Sequence, residues 1–202
     1  MSLGDFMNEN FDINSVFDNL TDVKFPRWND LPELDLYMDQ VLVLMDKYLC
    51  RANLDKATGS DEDSIITSSM VNNYVKKEYM PAPVKKKYGK EHIAHLIIIC
   101  IMKQSLPIPV IDTFIKSMLE VMPINELLDT FIETYEQSFI AAADRLKEIS
   151  VVSSDDERAR RAIIATRATA LSNSGIIVAD TIFKSLKSEE PVEKKKKSKD
   201  ED

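Results

Sequence analysis

Two histidines, His92 and His95, stand three residues apart in an Ile- and Leu-rich segment. On a helix this spacing puts two imidazoles on one face, the beginning of a metal site. No cysteine or acid of matching spacing accompanies them. Polar positions at the edge of a buried helix are therefore the simpler expectation, and no metal is expected. Glu133 and Glu136 repeat the i, i+3 relation and read as a solvated face rather than a catalytic pair. There is no glycine-rich phosphate loop, no GxSxG and no CxxC pair. Cys50 and Cys100 fall in separate apolar segments and read as buried, reduced thiols. No catalytic residue and no cofactor is assigned, and an enzyme is not expected.

The charges are distributed more tellingly. The chain carries a net charge of −8 over 202 residues, yet residues 64–103 hold 7 lysines and only 2 acids. These are Lys76, Lys77, Lys85, Lys86, Lys87, Lys90 and Lys103. A basic island inside an acidic protein is either a solvated face or the footprint of a local polyanion site.

The elements that must position this island are helical. Only 4 glycines occur, and 44% of residues are apolar, which disfavours a turn-rich β protein. Residues 1–30 lack a stable period and read as a flexible N-terminal arm. Asp30 is an expected N-cap, with Pro32 in the first turn of a helix over 32–50. After a polar loop at 51–63, Thr67 caps a short helix over 68–77, which Pro81 and Pro83 cannot continue. Residues 81–88 read as an extended excursion or short hairpin. A helix apolar nearly all round begins at Lys90. Further helices are expected from Val110, over 124–149, over 155–172 behind a capping box at Ser154–Glu157, and over 176–187 after a stop at Asn173-Ser174-Gly175. A charged, disordered tail occupies 189–202. The first residues include Asp5, Glu9 and Asp12 rather than a basic, apolar leader. The longest unbroken apolar run is 96–102, well short of the ~20 residues that cross a bilayer. A soluble cytoplasmic protein without a membrane partner is expected.

The order of the island carries a resemblance. It reads Met70-Val71-Asn72-Asn73-Tyr74-Val75-Lys76-Lys77-Glu78-Tyr79-Met80-Pro81-Ala82-Pro83, then Lys86-Lys87-Tyr88, then Glu91-His92-Ile93-Ala94-His95-Leu96. This resembles the MerR-like winged helix-turn-helix: a short helix, a tight turn, a wing ending in a basic pair and Tyr, and an apolar helix. Ser105-Leu106-Pro107-Ile108 is similar to the turn into that family's fourth helix. From Leu31-Pro32-Glu33-Leu34-Asp35-Leu36-Tyr37-Met38-Asp39-Gln40 onward the chain more closely resembles the bacterial domain of unknown function 1836 family, itself regarded as MerR-like. Two departures stand out. Glu78 occupies the turn position where the pattern has Gly, and Asn72 stands where it has Arg. No cysteine cluster follows, so a metal-sensing mechanism is not carried over.

The resemblance implies a mainly all-α fold: a winged helix-turn-helix over 31–122 and a C-terminal helical bundle over 123–188 for dimerisation or an effector. It implies a homodimeric transcription regulator on double-stranded DNA, with a small-molecule effector left open. The residue chemistry agrees. Asn72 and Asn73 offer the paired donor and acceptor that match an adenine edge. Thr67, Ser68 and Ser69 suit phosphate at a helix N-terminus. Lys76, Lys77, Lys85, Lys86 and Lys87 suit the backbone, where they release counterions. Tyr74 and Tyr88 belong either to this surface or to packing beneath it. This expectation requires the seven ammonium groups and the amide-rich helix to share one outward surface. The alternative is a protein-binding adaptor whose basic face meets an acidic partner.

Overall fold

A computed structural model describes residues 12–50, 65–150 and 156–188. These form seven helices: α1 (Ile13–Thr21), α2 (Met38–Cys50), α3 (Ser68–Lys76), α4 (Lys90–Met102), α5 (Ile108–Leu119), α6 (Ile124–Ser150) and α7 (Glu157–Ser188). No strand forms among the described residues, only two isolated bridges. The expected 51–63 loop, the tail, and Ser154 of the expected capping box lie outside the described residues.

α4 is the hub, because its sequence leaves it no polar face. Every residue from His92 to Met102 is buried. It packs against α2, α5 and α6, and α3 rests on α2. Each fully buried Ile or Leu is worth about 1.5–3 kcal/mol, so this helix anchors the main core. Leu127, Leu128, Phe131 and Ile132 of α6 belong to that same core, which thus crosses the 122/123 boundary.

Three elements differ from the sequence expectation. Residues 12–30 are not featureless: α1, capped by the Asp12 side chain, docks on α6. Its Phe17 is buried with Ala143, Leu146 and Ile164 in a second, smaller cluster. Next, α2 starts at Met38 rather than near Pro32. Asp30 does not cap it; its carboxylate accepts the Arg27 N–H at 2.8 Å, closing a 3-10 turn at Trp28–Asp30. The chain then pairs Leu36 with Tyr88, and the Gln40 side chain accepts the Tyr37 N–H at 2.9 Å. Leu34, expected on the apolar side of a helix, is exposed.

Finally, the expected stop at Asn173-Ser174-Gly175 does not stop anything. α7 runs unbroken from Glu157, with Asp156 accepting the Arg158 N–H at 2.9 Å as its cap. The Ser174 hydroxyl donates back to the Ala170 carbonyl at 2.8 Å. Contacts of α7 with α5 and α6 override weak local propensity. Over Glu157–Ser185 this helix is long and apolar enough, by length and composition, to cross a membrane. Its apolar residues are interleaved with Ser, Thr, Asn, Asp and Arg, so they form no long unbroken run. One side of it is seated in the protein, where the Phe183 ring lies 5.3 Å from that of Phe114.

Candidate nucleic-acid interface

α3 has two chemically distinct sides. Val71 and Tyr74 are buried, whereas Ser68, Ser69, Asn72, Asn73, Lys76 and Lys77 are exposed. Positions three and four apart share a helix face, so the exposed set forms one continuous strip. Among the described residues none of those six side chains has a hydrogen bond or ion pair. Thr67 Oγ1 is spent differently: it accepts the Met70 N–H at 3.3 Å and caps the helix.

The helix ends in a Schellman motif. The Tyr79 N–H donates to the Tyr74 carbonyl at 2.9 Å and the Glu78 N–H to that of Val75 at 3.0 Å. Glu78 itself lies at φ 58°. The turn position at which the resembled winged helix-turn-helix pattern would carry Gly is left-handed in this chain, and Glu78 bears the strain there.

Residues 84–87 close a two-residue hairpin. Val84 and Lys87 exchange N–H···O bonds, both 3.0 Å. Lys85 and Lys86 form its tip at φ 50° and 64°. Positive φ at both central residues is the type I′ arrangement, which normally takes Asn-Gly. Two lysines there cost about 1–2 kcal/mol each. Both are exposed and without a partner among the described residues. Strain kept at such a position points toward function.

The seven ammonium groups do not form one free surface. Lys87 turns back to lie 5.2 Å from the centre of the Tyr37 ring. Lys90 pairs with Glu33 at 2.5 Å and sits over the Trp28 ring at 5.4 Å. Lys103 donates to the Ile65 carbonyl at 2.6 Å. Among the described residues, Lys76, Lys77, Lys85 and Lys86 remain as cations of the island without a partner. Tyr74 and Tyr88, considered as surface contacts, are only 4% exposed and belong to the core. Burial, and then the nearby Cys100, pushes the Tyr74 phenol up to about 12. Burial also raises Tyr88, which bridges Leu36 and meets His92 edge-on at 5.5 Å.

The chain matches one family model over residues 26–139. It belongs to the domain of unknown function family DUF1836. Neither the curated proteins nor the solved structures contain a match to it. The DUF1836 segment runs from Pro26 to Phe139, so it holds α2 to α5, the hairpin and the first part of α6, while α1 and α7 lie outside it.

Two features of the DUF1836 segment escape the sequence reading. The histidines are tethers. His92 Nδ1 accepts the Gly89 N–H at 3.0 Å, which leaves Nε2–H to donate to the Ala82 carbonyl at 3.1 Å. His95 Nδ1 donates to the Glu91 carbonyl at 2.7 Å. Glu136 is not a solvated acid. It is buried, and it receives the Phe25 N–H at 3.0 Å, Arg27 at 2.9 Å and Lys24 at 3.4 Å. Asp129 adds the Trp28 N–H at 2.7 Å. These two acids clamp residues 24–28 to α6. A buried carboxylate collecting three donors from over a hundred residues upstream leaves no local sequence signal.

Proposed function

We propose that this protein is a DNA-binding transcription regulator of the MerR-like winged helix-turn-helix kind, acting in the cytoplasm as a homodimer. α3 enters the major groove, and the 84–87 hairpin is the wing that lies along phosphates. The seven-lysine surface that the sequence reading required is not met, since Lys87, Lys90 and Lys103 are engaged within the fold. The observation that carries the narrower reading is the unspent polar strip of α3, anchored from below by Val71 and Tyr74. Asn72 and Asn73 read base edges; Ser68, Ser69, Lys76 and Lys77 meet the backbone. The pairing of Leu36 with Tyr88 braces the wing from the segment before α2. Two copies related by a two-fold axis would place two α3 helices about 34 Å apart, one turn of duplex.

The test is selection of bound fragments from a genomic library, followed by gel retardation. The Lys85→Ala, Lys86→Ala double variant should weaken binding to all duplexes and flatten the log–log salt slope by about 2 units. Asn73→Ala should harm the selected site more than random DNA. Absence of any retardation at ~50 mM salt, where phosphate contacts are strongest, would refute the reading and favour an acidic protein partner.

A further inference from the structure

A cleft of about 490 Å³ opens where α5, α6 and α7 meet. Its size falls within the roughly 300–1,000 Å³ of small-molecule pockets. No Asp, Glu, Lys, Arg or His lines it, and every polar side chain on its wall bears a hydroxyl. Four rings do line it: Phe114, Phe131, Tyr135 and Phe183. They are in mutual contact, with Phe114 5.3 Å from Phe183 and 6.3 Å from Phe131, and Phe131 4.6 Å from Tyr135. The Tyr135 hydroxyl makes no hydrogen bond among the described residues, and burial raises its pKa.

We propose that this cleft binds an uncharged, ring-bearing small molecule. This goes beyond the DNA-binding reading and does not depend on it. A charged ligand would lose its hydration with nothing on the wall to replace it. Flat rings match the aromatic wall, which favours offset and edge-on contacts. The Tyr135 hydroxyl supplies a hydrogen bond to a single polar substituent. Gly175 supports the same conclusion. It lies on the wall in mid-α7, where glycine is a destabilising choice. A Cβ there would meet nothing within 4 Å, so packing does not demand the glycine. Glycine here leaves this stretch of the wall without a side chain. Residues 189–202 are a poor occupant, because eleven of those fourteen residues are charged. α7 forms one wall and lies outside residues 26–139, so the cleft is completed by sequence beyond the DUF1836 segment.

The experiment is a fluorescence titration of the full chain with N-phenyl-1-naphthylamine, an uncharged aromatic probe. One saturable site per chain is expected, with a thermal midpoint that rises with probe concentration. Gly175→Phe, which fills the cleft, should weaken binding about tenfold or more. Gly175→Leu serves the same purpose should the larger side chain impair folding, as judged by circular dichroism. Ile177→Ser removes an exposed apolar side chain of α7 that does not line the cleft, and should leave binding intact. Non-saturable binding would overturn the proposal. So would undiminished binding in a folded Gly175 variant, or loss of binding in Ile177→Ser.

Discussion

His92 holds the carbonyl of Ala82 at 3.1 Å, tying the chain just before the lysine hairpin to the first turn of the buried helix. The same ring accepts the Gly89 N–H on the far side of the hairpin, so one imidazole fixes both of its ends. His92→Leu keeps the bulk and removes both bonds, with an expected cost of about 1–3 kcal/mol. Hydrogen exchange should show the loss first at the Val84 and Lys87 amides, ahead of those in α4. Equal acceleration throughout α4 would mean that the imidazole supports the core rather than the hairpin.

The hairpin tip allows stability and binding to be separated. Replacing Lys85 with Asn and Lys86 with Gly supplies the residues that left-handed backbone prefers. Thermal unfolding should show a gain of about 1–2 kcal/mol. The same variant should bind DNA more weakly, because two free cations are gone. A variant with higher stability and unchanged DNA affinity would remove the wing tip from the interface.

Glu136 is the keystone of the clamp on residues 24–28. Glu136→Ala leaves the buried Phe25 N–H without its acceptor, and the Arg27 guanidinium, among the described residues, keeps its bond to the Asp129 carbonyl. A loss of about 2 kcal/mol is expected in urea unfolding. The pairs with Arg27 and Lys24 are partly open to water, which keeps the figure moderate.

His95 sets a pH dependence. Its pKa is lowered, chiefly by burial, against the opposing hydrogen bond to the Glu91 carbonyl. The native state resists the proton that the unfolded chain accepts near pH 6.5. Stability is therefore complete above about pH 7 and declines as the pH drops below 6.5, by at most about 1.4 kcal/mol per unit. His95→Gln should flatten this decline in unfolding curves measured from pH 7.5 to 5.5. An unchanged slope would assign the dependence to other groups.

The sequence revealed those elements whose signal is local. Thr67 before α3, Pro123 before α6 and the apolar run of α4 mark their helices without tertiary help. The exposed strip of α3 was legible for the same reason, since helical spacing groups Asn72 and Asn73 with Ser68, Ser69, Lys76 and Lys77, but it left Tyr74 open between surface and core. The partners of the lysines were not legible. Tyr37 meets Lys87 because residues 31–37 are not helical, and a helix starting at Pro32 would have put that ring elsewhere. Glu33 meets Lys90 across 57 residues of chain. Nor does Lys-Lys announce a left-handed turn as Asn-Gly does. Gly175 in turn carries a stop signal that the packing of α7 overrules.

Because α7 is unbroken, its two ends report on each other. Ile164 sits in the small cluster beneath Phe17, and Phe183 packs on the main core. Nineteen residues of unbroken helix separate them, about 28 Å at the rise of an α-helix. A rod of that length has no joint at which to absorb a tilt. A displacement of Phe183 from Phe114 that the helix transmits would be felt at Ile164, in the cluster that holds Phe17 of the N-terminal helix.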